Sequence, residues 1–256
     1  MKCVILAGGK GTRLSEETNL LPKPMIEIGG KPILWHIMKI YSSYGINEFI
    51  ICAGYKSNII KDYFINYNAN NSSLHIDLES NDITFETSHS ENWKISIIDT
   101  GLETNTGGRL KLINNYIKEE NFLMTYGDGV GDIKIDELIK FHNNHGKLVT
   151  LTATVPEGRF GAINIDGDKI HSIKEKLDTA DKFINGGFFV INKKALSYVD
   201  NLNQQWEMEP LSKIAADGQL MAYKHRGFWK AMDHLRDKVQ LDDLASQENP
   251  PWKKWK

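Results

Sequence analysis

Cysteine is nearly missing: Cys3 and Cys52 are the two thiols in 256 residues, both inside apolar strand-like runs, CVILA and FIICAG. That excludes a disulfide framework and a thiolate metal centre, and reads as two small core residues. Proline is scarce, seven in all, and no Pro- or Ser-rich stretch marks a linker. With no internal repeat either, one continuous domain over 1–256 is expected rather than two. An excess of either charge is lacking: 31 basic against 33 acidic side chains leave −2, with no electrostatic case for nucleic acid or an anionic membrane as partner. No apolar run approaches the roughly 20 residues that cross a bilayer, and the amino terminus enters a strand with no signal-peptide flank, so a cytoplasmic location is expected. What is present is ordinary for a globular chain, 41% hydrophobic and 25% charged, and suffices to bury a full core.

Hydrophobic periodicity gives the organisation. CVILA is a strand that runs into glycines, KPILWHIMKIYSSYG a helix stopped by Gly45, NEFIICAGY a second strand and SNIIKDYFINY a second helix. Strand KISIIDT, helix GGRLKLINNYI, strand NFLMTYGD, helix IDELIKFHNNHG and strand KLVTLTATV continue the alternation. Such an order builds a parallel sheet, because each crossover must cover one of its faces. Residues 68–92 interrupt it: two alternating runs meet at Asn81-Asp82 between Asn- and Ser-rich flanks and predict a protruding hairpin. Beyond about 156 the strands (GAINID, DKIHSIKEK, KFINGGFFVI) read as shorter and hairpin-like, followed by a helix near 208–217, strand QLMAYKH and a closing helix from about 234. The expected class is α/β: a Rossmann-like, mostly parallel sheet with helices on both faces over about 1–155, and a smaller β-rich portion over about 156–256 for a second substrate.

The glycines of AGGKGTRL fall where a buried strand hands over to a helix, a place where oxyanions meet free backbone N–H groups. A dinucleotide fingerprint fails, since Leu14 stands at its third glycine and the second strand ends Ala53-Gly54-Tyr55 without a ribose-binding acid. A Walker loop fails too, because Gly11 is followed by Thr12-Arg13. Two readings remain. The backbone from Gly8 to Thr12 cradles a phosphate with Arg13 and Lys23 as its cations, or the stretch is a glycine-rich turn with two solvated cations.

Taken along the chain, AGGKGTRL, PKPMIEIGGKPILWH, TGGRL, YGDGV, GRFGA, EK, NGGFFV, WEMEPL and GFWKAMDHLRDK span nearly its whole length. The set resembles the sugar-phosphate nucleotidylyltransferases, and the later motifs resemble their cytidylyl branch. The resemblance implies a nucleotide-diphospho-sugar transferase fold and transfer of CMP from CTP to α-D-glucose 1-phosphate, giving CDP-glucose and pyrophosphate for CDP-deoxysugar and O-antigen biosynthesis. It implies Mg²⁺ as cofactor and a homo-oligomer, a hexamer being one form, with the 68–92 hairpin as a contact. A sugar phosphate is already an anionic nucleophile, so the missing Ser-His-Asp triad is expected; such an enzyme aligns two anions and neutralises charge around the α-phosphorus. Two alternatives share these motifs. A uridylyl- or thymidylyltransferase would keep every catalytic residue. A regulatory subunit that binds nucleotide sugars without turnover need not have retained Arg13, Lys23, Asp128 and Asp233 together.

By the same resemblance, Leu6, Ala7, Gly8, Gly9, Gly11 and Thr12 border the nucleotide, Arg13 holds the β- and γ-phosphates, and Lys23 sits between the α-phosphate and the sugar phosphate. Arg13 and Lys23 are the catalytic pair. Thr106, Gly107, Gly108 and Arg109 join the nucleotide site: the glycines let backbone approach the base, and a guanidinium, which only donates, suits the O2/N3 edge of cytosine. The plainer reading of Arg109 is a solvated or ion-paired arginine. Asp128, also counted with the nucleotide, and Asp233 are the metal carboxylates, two oxygens plus waters and phosphates suiting a partly hydrated Mg²⁺. Without the resemblance Asp128 is a turn residue and Asp233 a helix N-cap. Tyr126, Gly161, Glu175, Lys176, Asn185 and Gly186 fall to the sugar phosphate, Glu175 on its hydroxyls and Lys176 on its phosphate. A charged edge at 175–176 and a bulge at 161 and 185 are the plainer readings. Trp206, Trp229 and Phe188 read as core or pocket wall. His142 and His145, three apart on a helix without further ligands nearby, read as solvated. Arg159 serves a neighbouring subunit's ligand or a local ion pair. Leu21, Leu177 and His234 depart from the family pattern at positions bearing on sugar preference more than reaction class.

Overall fold

The computed structural model describes residues 1–86, 90–155, 162–166, 169–174 and 183–255, with backbone alone for 162–166, 169–174, Arg13, Ser15 and Glu16. The elements that place the site are, in chain order, β1 (Cys3–Ala7), α1 (Ile33–Ser42), β2 (Glu48–Ala53), α2 (Ser57–Ile65), β3 (Ser73–Asp77), β4 (Asp82–Glu86), β5 (Lys94–Asp99), α3 (Thr106–Leu112), β6 (Asn121–Tyr126) and β7 (Gly129–Gly131). They continue with α4 (Ile135–His145), β8 (Val149–Thr154), β9 (Ala162–Asp166), β10 (Lys169–Lys174), β11 (Ile184–Asn192), α5 (Glu209–Ala216), β12 (Leu220–His225), β13 (Trp229–Ala231) and α6 (Leu235–Ala245).

Seven strands form one sheet in the order β12-β8-β11-β6-β1-β2-β5. β1 runs parallel to β2 and β6, β2 to β5, and β8 to β12. The sheet is mostly parallel, as expected, and its apolar runs follow from burial on both faces. Along β1, Cys3, Ile5 and Ala7 join one core cluster while Val4 and Leu6 join another. Both cysteines are free and buried, and burial pushes the Cys52 thiol up to about 12. Helix α1 buries Ile33, Leu34, Ile37, Met38, Ile40 and Tyr41 on one stripe, starts after Pro32 and is followed by Gly45 at φ +79°.

Three expectations change. The run KFINGGFFVI is no short hairpin strand: β11 is nine residues long and lies in the middle of the sheet, antiparallel to both β8 and β6. The helix expected over 107–117 ends at Leu112, with a separate 3-10 turn at Asn114–Tyr116. His142 is not solvated; it is 2% exposed, and Thr150 Oγ1 lies 2.9 Å from its Nδ1 and 2.7 Å from His145 Nε2.

The 68–92 hairpin is present as β3 and β4, turning through Asn81 at φ +58°. Leu74 pairs with Phe85 and Ile76 with Ile83, so these four apolar side chains share one face, 41–57% exposed, while His75 and Thr84 share the other. No helix among the described residues is long and apolar enough to cross a membrane.

Candidate active site

The site lies at the carboxyl ends of β1 and β6, where ligands of open α/β sheets bind. After Ala7 the chain turns through Gly8 to Gly11, whose φ of +64° favours glycine, into a short helical turn at Thr12–Leu14. Leu6, Ala7, Gly8, Gly9, Gly11 and Thr12 border a cleft of about 350 Å³, with Lys23, Thr106, Arg109, Tyr126, Asp128 and Asp233 on its other walls. A second cavity of about 370 Å³ is lined by Asn185, Gly186, Phe188, Trp229 and Glu207 among others. Asn105, Thr106, Tyr126, Asp128 and Asp233 line both, which makes them the junction between the two cavities.

At that junction the Lys23 ammonium donates to Asp128 Oδ2 at 2.6 Å and to Asp233 Oδ1 at 2.9 Å. The three come from far apart in sequence. Lys23 stands at the head of a turn fixed by Pro22, Asp128 in the turn between β6 and β7, and Asp233 just before α6. Asp233 is not the cap of α6: His234 holds that place, and Asp237 Oδ2 accepts the backbone N–H groups of both Asp233 and His234. Burial on its own would lower the Lys23 pKa, but the Asp128 charge and the hydrogen bonds Lys23 donates to both carboxylates outweigh it and hold the ammonium above the ordinary lysine range.

A family model described as nucleotidyl transferase matches residues 2–233. The chain belongs to that family. Glucose-1-phosphate cytidylyltransferase of Salmonella typhi is 52% identical over 256 residues, the full length of both chains. The probable glucose-1-phosphate cytidylyltransferase of Bacillus subtilis is 43% identical, again over the whole of both. Among solved structures, HddC from Yersinia pseudotuberculosis is similar at TM-score 0.71 and 25% identity, covering 94% of this chain and 98% of that one.

In this nucleotidyltransferase two carboxylates from separate segments already converge on one cation, the Lys23 ammonium, so their donor set and spacing fit a divalent ion that keeps waters and takes phosphate oxygens. Among the described residues no cluster of three or more His, Cys, Asp or Glu offers an alternative metal site.

Other expected site residues divide. Asn185 and Gly186 line the second cavity, with Trp229 Nε1–H on Gly186 O at 2.7 Å, and Phe188 and Trp229 form its wall, while Trp206 is core. Gly107 and Gly108 line neither cavity. Their missing side chains make room for the backbone of Leu202 and Gln204, and a Cβ on Gly107 would sit 2.8 Å from Gln204 O. Arg109 is 3% exposed rather than solvated: Nη1 donates to Thr100 Oγ1, Gly101 O and Ala53 O at 2.5, 2.9 and 3.2 Å, and Nη2 to Gly8 O at 3.0 Å. It therefore ties the glycine loop to the ends of β2 and β5 while lining the cleft. The side chain of Arg13, together with Arg159, Gly161, Glu175, Lys176 and Leu177, lies outside the described residues. Asn105 and Glu207 were missed as individual residues, although WEMEPL stands among the motifs.

Proposed function

We propose that this chain transfers CMP from CTP to α-D-glucose 1-phosphate, releasing pyrophosphate and CDP-glucose, with Asp128 and Asp233 holding Mg²⁺. The observation that carries the reading is the Lys23–Asp128–Asp233 cluster at the junction of the two cavities. It stands where a nucleotide in the glycine-loop cleft and a sugar phosphate in the adjoining cavity would bring their phosphates together. The likeness at 52% identity to a glucose-1-phosphate cytidylyltransferase over both full lengths supports the choice of base and sugar.

In the reaction a phosphate oxygen of the sugar 1-phosphate attacks the α-phosphorus; a new P–O bond forms and the bond to the β-phosphate oxygen breaks, so the electron pair leaves with pyrophosphate. No base is required, because the nucleophile is already an anion. The loop N–H groups from Gly8 to Thr12 cradle phosphate oxygens, Arg13 holds the departing end, and Lys23 turns from the carboxylates to the crowded α-phosphate. When bound, Mg²⁺ supplies further positive charge to those oxygens. Glu175 and Lys176 on the sugar phosphate, one domain over 1–256, a cytoplasmic location and a homo-oligomer belong to the same proposal.

A coupled pyrophosphate-release assay across the nucleoside triphosphates and several sugar 1-phosphates tests it. CTP with glucose 1-phosphate is expected to give the highest kcat/KM; preference for another pair, or no turnover with any, overturns the assignment. For the metal, Asp128→Asn and Asp233→Asn are each expected to raise the Mg²⁺ requirement, and the double variant to be little worse than the worse single. Strictly additive losses would give the two carboxylates separate roles.

A further inference from the structure

Glu207, in WEMEPL, has no part in the mechanism above, yet it holds two side chains, Tyr126 and Thr106, that line both halves of the site. Its Oε1 accepts the Tyr126 hydroxyl at 2.5 Å and its Oε2 the Thr106 hydroxyl at 2.7 Å. Asn185 Nδ2 donates to the same Tyr126 oxygen at 3.3 Å, and Thr106 Oγ1 accepts the Trp206 N–H at 2.8 Å. Thr106 and Tyr126 line both cavities, whereas Glu207 and Asn185 line the second.

We propose that Glu207 is the positioning residue that fixes hydrogen-bond polarity on the sugar side, forcing Tyr126 to accept a hydrogen from one substrate hydroxyl. The inference rests on the reading that the second cavity takes the sugar 1-phosphate. A carboxylate only accepts, and a phenol has a single hydrogen to give. Glu207 takes that hydrogen, so the Tyr126 oxygen has lone pairs alone for other partners, one toward Asn185 and one toward the cavity. An ordinary phenol keeps its proton at neutral pH, and Glu207 Oε1 is the acceptor placed to receive it. Nor can the ring readily swing away. It stands edge-on to Phe189 with centroids 6.1 Å apart, and it closes over Gly187, where a Cβ would come within 2.6 Å of Tyr126 Cδ2. The sugar is thus selected for a hydroxyl that can donate at this point, and a group that only accepts meets lone pair against lone pair.

Fluorine in place of a hydroxyl keeps size and can accept, but brings no hydrogen. The test is steady-state kinetics of the full-length protein with CTP and glucose 1-phosphate, or each of its monofluorinated deoxy analogues, for wild type, Glu207→Gln and Tyr126→Phe. One analogue is expected to be disfavoured by wild type by about tenfold or more in kcat/KM. Glutamine offers one acceptor for two hydroxyls, so Glu207→Gln should lose that discrimination and raise KM for glucose 1-phosphate about tenfold, with KM for CTP within about twofold. Tyr126→Phe should do the same, and the double variant should be no worse than the worse single. If Glu207→Gln does not fold, Tyr126→Phe still decides, since it keeps the ring and removes only the hydroxyl. Discrimination that survives in a folded variant, no disfavoured analogue at all, or KM values for both substrates rising together overturns the inference. Wild-type inactivity toward glucose 1-phosphate overturns the function reading and this with it; normal turnover without discrimination overturns this alone.

Discussion

With both carboxylates within 2.9 Å of its ammonium, Lys23 competes with a divalent ion for the same oxygens. Lys23→Ala should therefore have two effects of opposite sign. Turnover is expected to fall by about 100-fold or more, as for loss of one electrostatic stabiliser, with a smaller change in KM for CTP. The nucleotide-free protein should meanwhile bind Mn²⁺ more tightly, since the ammonium no longer occupies the Asp128 and Asp233 oxygens. Kinetics and calorimetry read the two separately; near-wild-type turnover removes Lys23 from the mechanism, and unchanged Mn²⁺ affinity removes the competition. At a distance from the site, His36 donates from Nε2 to Ile28 O at 2.8 Å and accepts at Nδ1 from Trp252 Nε1–H at 3.3 Å, so the neutral ring uses both nitrogens. Burial pulls its pKa down to about 4, and that of His142 likewise to about 4. The unfolded chain takes these protons near pH 6.5 and the native chain only near 4, so stability is complete above about 6.5 and is lost as pH falls toward 4. A drop of about 2 kcal/mol between pH 7 and pH 5 is expected from His36 alone. Urea midpoints at the two pH values measure it, and an equal or higher midpoint at pH 5 would contradict it.

At the scale of elements, α3 is held by what it touches at each end. Its first turn is pressed onto the 202–206 backbone through Gly107 and Gly108, and its arginine clamps the ends of β1, β2 and β5. Arg109→Ala is therefore expected to lower kcat/KM for UTP as well as CTP, because the phosphate cradle is common to both. The CTP loss should be larger by ~1–3 kcal/mol if a remaining N–H reads the cytosine edge. Equal losses would leave the clamp and remove base reading. The β3–β4 hairpin presents Leu74, Ile76, Ile83 and Phe85 together on an exposed face. A covering partner of the same chain is the proposal for that face. Replacing Ile76 and Ile83 by Ser should reduce the mass seen by light scattering while the far-ultraviolet spectrum stays native, since neither residue belongs to the core. An unchanged mass would clear the hairpin of any role in assembly.

For the whole molecule, what could be read from the sequence followed from how local each cause is. β1, β2 and β6 announce themselves because burial on both faces makes each an unbroken apolar run. That the glycine loop, Lys23, Asp128 and Asp233 meet at one cleft was legible because a phosphate or metal site would call for glycine, cations and carboxylates at strand ends. Gly107 and Gly108 were legible as places of close approach, but what approaches is a loop a hundred residues away. Glu207 gave no local sign of its role, since its meaning comes from Tyr126 and Thr106. The position of β11 was equally hidden, being decided by pairing with β6 and β8 rather than by its own pattern. That position also orders events during synthesis. The ribosome delivers β6 and β8 before the strand that must lie between them, so the growing chain carries two unpaired apolar edges until residue 192 has emerged. Arrested nascent chains ending at 155 should be cut readily by protease, with resistance appearing only once β11 is outside the exit tunnel. Protection already present at 155 would mean that the first half closes its sheet unaided.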